Sequence, residues 1–450
     1  MQSAQPVYVL WDASHIWGLM AWRALRGMGL PCRLVKGQEI ADGVLLGKPG
    51  RGAPAARPAL LLVPGGSARH KALALGEQGR EAIRHWLADG GAYLGFCGGA
   101  GLALSHHSKA EGLHICPWSR AAYPQRLLHL ISGHVRVRAA RTGDLAPPLP
   151  EGEALSLPVW WPGRFAPATD ERVEVLAAYA RPDADFWLAD LPLQRIPPHV
   201  FEAWQALYGV DLSADFIIDQ PVVVSGAYGK GRYVLSYSHL ETPQSPDGNA
   251  WLALLLQRLA GLDPCCREVP AWDVGDVTPA WNHQEAAAPL LESLARVRAL
   301  LDMAVEHHLF FRRTPWLWGW RAGLPGAACN NLHVALATAA ELPPPPDALS
   351  WWAGQRTRFC ALAEVFVAGA EGYLLACRLS DTLSPSLPDA VCKRGLDYLR
   401  EALFGHPMQG GGLVGDLLEI VEELIYRSQG SNAFVRKIKY LCCEGTFRNV

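Results

Sequence analysis

The chain has 450 residues, with 41 Lys and Arg against 43 Asp and Glu; half of its residues are hydrophobic and 19% are charged. That composition excludes a disordered chain and is long enough for two or three domains, each with its own core. A net charge of −2 gives no electrostatic basis for nucleic acid or an anionic membrane as the main partner.

Residues 6–11 are a short apolar run ending at Asp12 and read as the first strand of an α/β sheet. Residues 15–26 carry Ile16, Leu19, Met20 and Trp22 at helical spacing, with Gly27 and Gly29 as a stop. Short strands are predicted at 32–35 and 43–46, and the Gly/Pro/Arg-rich stretch 48–57 reads as a surface loop. Residues 59–63 are a fully apolar strand running into Pro64-Gly65-Gly66. A helix follows at 77–89, then a strand opening at Ala92 that meets Gly95-Phe96-Cys97-Gly98-Gly99. Strand and helix alternating in this way predict a parallel sheet covered on both faces, with ligands at the carboxyl ends of its strands. Pro64-Gly65-Gly66 and Cys97 both stand at such ends.

From 127 to 180 the period shortens to that of strands, at 131–137, 155–161 and 173–178, which predicts an excursion beside the main sheet. Strands at 216–227 and 233–237 flank the turn Tyr228-Gly229-Lys230-Gly231-Arg232, and the second runs into Ser238-His239-Leu240-Glu241. A helix at 249–259 closes this part. Together these elements predict a domain over 1–262 and a proline-rich linker at 263–284. Beyond it, apolar residues at alternating four and three spacings predict an all-helical domain at 285–450. There the segment holding Trp316, Trp318 and Trp320 reads as a half-buried loop between helices. The apolar run 359–379 contains Glu364 and Glu371 and reads as a buried helix, not a membrane span. The basic run Arg436-Lys437-Ile438-Lys439 reads as a solvated tail.

The eleven cysteines are scattered, with no C-x-x-C, so a disulfide framework is not expected. The first residues carry no basic region and Asp12 interrupts their apolar stretch, so no secretory leader is expected, and reduced thiols in a cytoplasm are expected. His307 and His308 are adjacent and point to different helix faces, so neither they nor His283 and His333 predict a metal site, and no cofactor is predicted.

Cys97 has glycines on both sides at the apex of a strand-to-helix turn, the geometry that with serine is a nucleophile elbow. A cysteine nucleophile needs a base, a group to orient it and donors for an oxyanion. His239 and Glu241, two apart in an extended segment, project to one side and can supply the first two. The backbone amides of Gly66 and Gly98 can supply the oxyanion hole, where losing one donor typically costs about 3–4 kcal/mol of transition-state stabilisation.

On these motifs, the stretch from about 6 to 260 resembles the class I glutamine amidotransferase-like superfamily. The branch it resembles is typified by the N-terminal domain of biotin–protein ligases. The resemblance implies a flavodoxin-like α/β fold and a Cys97–His239–Glu241 triad acting on an amide or similar carbonyl of an unknown small molecule. Leu240 stands where the family usually has proline, and nothing resembles a biotin ligase catalytic domain or a P-loop. The alternative is an inactive module on the same fold that binds a small ligand or regulates a partner. The helical domain is then the surface for a protein partner or a second copy.

Overall fold

The computed structural model describes residues 5–48, 57–122, 130–149, 154–169, 172–406 and 410–430. Most of the loop predicted at 48–57, the basic run at 436–439 and the pair Cys442-Cys443 lie outside them. Among the described residues the chain divides into two compact units, the first ending at Ala271 and the second starting at Trp272.

The first unit begins with β1 (Val7–Leu10), α1 (His15–Gly27), β2 (Cys32–Val35), α2 (Gly37–Ala41) and β3 (Leu60–Val63). It continues through α3 (Ala68–Ala88), β4 (Ala92–Phe96) and α4 (Gly98–Ala103). β1, β3 and β4 are buried at every position, because helices cover both faces of a parallel sheet and leave no alternating polar side. The strand predicted at 43–46 is instead one turn of 3-10 helix, Val44–Leu46, between glycines in left-handed conformation. The helix predicted at 77–89 is the second half of α3. Non-helical backbone at Gly76 (φ 60°, ψ −172°) divides α3, and its first half carries too few apolar residues to announce itself.

The excursion supplies β5 (Ser119–Arg120), β6 (Ile131–Ala139), β7 (Leu155–Trp160), β8 (Phe165–Ala166), β9 (Val173–Pro182), β10 (Trp187–Leu188) and β11 (Leu191–Pro192). α5 (Pro198–Tyr208), β12 (Pro221–Tyr228), β13 (Gly231–Ser236) and α6 (Pro246–Ala260) complete the unit. In the main sheet β2-β1-β3-β4-β13 are parallel, the doubly wound flavodoxin-like order. From β13 the sheet continues antiparallel through β12, β9 and β6, with β7 and β10 both paired to β6. Strand order reverses between β1 and β3, and that is where such sheets bind ligands.

The second unit is helical: α7 (Gln284–Glu306), α8 (Gly326–Glu341), α9 (Pro346–Leu383), α10 (Lys393–Phe404) and α11 (Gly412–Ser428). The tryptophan segment is not a loop. It forms an antiparallel hairpin, β14 (Phe310–Thr314) with β15 (Leu317–Trp320), whose alternating residues bury Trp318 beneath the Arg312 guanidinium, 4.6 Å from the ring centre. Asn330 of α8 accepts the Trp318 amide at 3.0 Å and ties the hairpin to the core. α9 is long and apolar enough to cross a membrane by length and composition alone, with a window of mean hydropathy 1.5 that is 39% buried within the protein. Its Phe359, Phe366, Ala370 and Tyr373 face the core of the unit.

Candidate active site

The carboxyl ends of β1, β3, β4 and β13 bring the sequence-predicted residues together. β4 ends at Phe96, and the chain turns into α4 through Cys97, whose φ of 45° and ψ of −101° lie outside the regions open to ordinary side chains. The amide of Cys97 is held by the Ser236 carbonyl of β13 at 2.7 Å, so the strained residue is fixed by the neighbouring strand. The turn after β3 fits against this elbow. A Cβ on Gly98 would stand 1.9 Å from the Gly66 carbonyl oxygen, and one on Gly66 (φ 101°) would stand 2.1 Å from the Ala13 carbonyl. Only glycine at both positions lets the three turns close on one another. The Gly98 amide is at the first position of α4 and has no helical acceptor.

The third turn, after β1, is pinned from below. Ala13 and His15 both have positive φ, at 51° and 49°. Lys71 of α3 is fully buried; its Nζ donates to the Asp12 carbonyl at 3.0 Å and to Ser14 Oγ, while Ser14 Oγ donates to the Leu10 carbonyl at 2.8 Å. Burial pushes the Asp12 carboxyl above its usual range, opposed by the Gly37 amide that donates to it at 2.6 Å and by the charges of Lys36 and Lys71.

β13 delivers the remaining two residues. His239 and Glu241 are completely buried, and the imidazole Nδ1 is 2.8 Å from Glu241 Oε1. The His239 amide donates to the Pro158 carbonyl of β7 at 2.9 Å, and the Thr242 hydroxyl donates to the His239 carbonyl at 2.7 Å. The backbone on both sides of the imidazole is therefore held. Burial works to lower the His239 pKa, but the Glu241 charge and the neighbouring Cys97 thiol outweigh it and push the pKa up to about 10. The thiol is close enough to act on the ring without an aligned hydrogen bond to Nε2, which is buried and has no such partner among the described residues. A Cβ on Gly65 would stand 2.7 Å from His239 Cε1, which places the imidazole against the β3 turn.

Sequence reasoning missed the aromatic walls and Lys71. Trp17 packs on His239 with ring centres 4.5 Å apart and meets Trp161 edge-on at 5.8 Å. The Trp161 carbonyl is 3.9 Å from Cys97 Sγ. Trp161 comes from the excursion after β7, so the inserted strands reach back over the elbow. Its positive φ of 54° is a signal that only a structure reveals.

The family model described as biotin-protein ligase, N terminal, matches residues 45–111. That span holds Gly66, Cys97 and Gly98 and ends before His239 and Glu241. No curated protein matches the chain. Among solved structures, a putative ThuA-like protein from Bacteroides uniformis overlays 59% of this chain and 97% of its own at 11% identity, with a TM-score of 0.36. A β-galactosidase from Bacillus circulans sp. alkalophilus overlays 58% of this chain at 13% identity and a TM-score of 0.34; the chain spans about a third, 32%, of that enzyme's length. Agd3, described as a novel carbohydrate deacetylase, overlays 66% of this chain and 40% of its own at 9% identity and a TM-score of 0.31. Overlaps this loose carry no argument about chemistry. The site is therefore read from its own residues. Among those described, no group of three or more His, Cys, Asp or Glu is placed to hold a metal ion.

Proposed function

We propose that the first unit is a cysteine-dependent amidase or amidotransferase-like enzyme of the glutamine amidotransferase-like superfamily, acting on an amide or similar carbonyl of a small molecule. The observation that carries this reading is a cysteine in strained backbone beside a fully buried His–Glu pair. His239 Nε2 takes the thiol proton as the Cys97 sulfur becomes the attacking thiolate. The thiolate adds to the carbonyl carbon, and the carbonyl oxygen takes up the negative charge, facing the amides of Gly66 and Gly98. The tetrahedral adduct then collapses, His239 returns its proton to the departing amine, and a thioester remains on Cys97. Water or an acceptor amine resolves it, with His239 as base. Glu241 keeps Nδ1 protonated and the ring aimed throughout. Nothing in this scheme requires a metal or a cofactor.

Iodoacetamide, a small amide-bearing electrophile, tests the reading. Cys97 should be labelled first and rapidly. The rate should fall at least about tenfold in His239→Ala. Labelling of Cys97 no faster than that of the exposed Cys265, Cys360 and Cys392 would turn the reading to the inactive, ligand-binding module.

A further inference from the structure

A second nucleophile–base–carboxylate arrangement lies in the antiparallel half of the same unit, away from the elbow. His134 is on β6, opposite Pro158 of β7. Its backbone amide donates to Asp185 Oδ1 at 2.8 Å, and its Nδ1 is 2.9 Å from Asp185 Oδ2. With both carboxylate oxygens engaged in this way, the ring proton sits on Nδ1 and the Nε2 lone pair is free to accept. Nε2 is 3.2 Å from Ser245 Oγ. Ser245 occupies the N-cap position of α6, yet its side chain makes no capping bond to the helix. Its hydroxyl is turned to the histidine instead, although an N-cap serine ordinarily satisfies a helix amide.

The surroundings fit acyl transfer as well. His134 and Asp185 open on a cleft of about 330 Å³ whose walls include Ala184 and Pro246, a volume suited to a small molecule, and Ser245, only 1% exposed, lies at its floor. The first turn of α6 runs beside the hydroxyl: a Cβ on Gly248 would stand 3.4 Å from Ser245 Oγ. The amides of Asp247 and Gly248 have no acceptor inside the helix, and the helix N-terminus favours negative charge. Asp183 and Asp247 also border the cleft, each engaged by Ser156: the Ser156 hydroxyl donates to Asp183 at 2.6 Å and its amide to Asp247 at 2.7 Å. Arg136 offsets the Asp183 charge at 2.9 Å. The remaining carboxylates disfavour anionic substrates.

We propose that Ser245, His134 and Asp185 form a second acyl-transfer centre, an esterase-type site for small uncharged or cationic esters. Ser245 Oγ adds to the ester carbonyl carbon as its proton passes to His134 Nε2. The oxyanion faces the first turn of α6, and the C–O bond to the alcohol breaks as His134 protonates the leaving oxygen. Water, deprotonated by His134, then adds to the acyl carbon, and the bond to Ser245 Oγ breaks as His134 returns that proton to the serine and the acid is released. Asp185 acts through His134, as a positioning residue.

The test uses the full chain carrying Cys97→Ala, so that the proposed cysteine chemistry contributes nothing to the readout. A fluorophosphonate should modify Ser245, mapped by peptide mass, and p-nitrophenyl acetate turnover should vanish with the labelling. His134→Ala should slow both by about 100-fold or more. Asp185→Asn, at a half-exposed carboxylate, should slow both by a smaller factor and displace the pH dependence of labelling. A folded protein in which Ser245 stays unmodified overturns the proposal. So does labelling that neither His134→Ala nor Asp185→Asn slows.

Discussion

Two histidine–carboxylate pairs of the first unit have almost the same length, 2.8 Å for His239–Glu241 and 2.9 Å for His134–Asp185. Their settings differ completely. The first pair is wholly buried, whereas the side chains of the second are 24% and 48% exposed. Distance alone therefore says little about strength. A buried pair is held in a medium where each charge depends on the other, and water cannot replace a lost partner. At the cleft, solvent screens the pair and stands ready to solvate either half. The same bond is a structural necessity in one place and a local orientation device in the other.

Removing a partner should separate the two most sharply. Glu241→Ala leaves a buried imidazole without its carboxylate and opens a polar void beneath the elbow. Breaking a buried pair typically costs about 3–5 kcal/mol, a large part of a domain's stability. Urea unfolding of this variant, followed by tryptophan fluorescence, should show a loss of that size. A loss below about 1 kcal/mol would mean that the pair is carried neutral and that burial does not distinguish it from the surface pair.

The pH dependence of stability sharpens the same point. The folded-state pKa of His239 is raised from about 6.5 to about 10, so the folded protein binds a proton that the unfolded chain releases. Its contribution is fully present below the unfolded value and is lost as the pH climbs through the folded one. The wild-type unfolding midpoint in urea should therefore fall progressively between about pH 6.5 and pH 10. In Glu241→Gln, which removes the charge but keeps the shape, that part of the slope should flatten. An unchanged slope would assign the alkaline loss to other groups.

The elbow pair was readable from sequence because its parts are local. Gly95-Phe96-Cys97-Gly98-Gly99 is contiguous, and His239 and Glu241 are two residues apart on an extended segment, where period alone predicts a shared side. The Gly66 turn followed from a fully apolar strand ending in Pro64-Gly65-Gly66. The other arrangement has no such signature. His134 is 51 residues from Asp185 and 111 from Ser245, and only the antiparallel pairing of β6 with β9 and β10, between which Asp185 lies, and the approach of α6 bring them together. Lys71 is similarly opaque: in the string it looks like a surface lysine of a polar helix start, yet it is buried as the brace of the β1 turn. α8 failed to register because it is buried on nearly every side and so has no apolar stripe to reveal its period. Local backbone chemistry is written in the sequence; constellations assembled by sheet order are not.

The smallest effect is expected at the cleft, and it is the most discriminating. Asp185→Asn replaces a half-exposed carboxylate by an amide of the same shape, whose carbonyl oxygen can still accept one of the two His134 donors. What disappears is a screened charge, worth about 0–1 kcal/mol for exposed pairs. The urea midpoint should therefore barely move, in contrast to the large loss in Glu241→Ala. The change at Ser245 is of another kind. Without the carboxylate the imidazole is free to turn or to place its proton on Nε2, and the lone pair that faces the hydroxyl is lost for part of the time. A protein as stable as wild type with slower Ser245 modification is the expected combination. A stability loss above about 2 kcal/mol would instead mark Asp185 as a structural partner and remove the contrast between the two pairs.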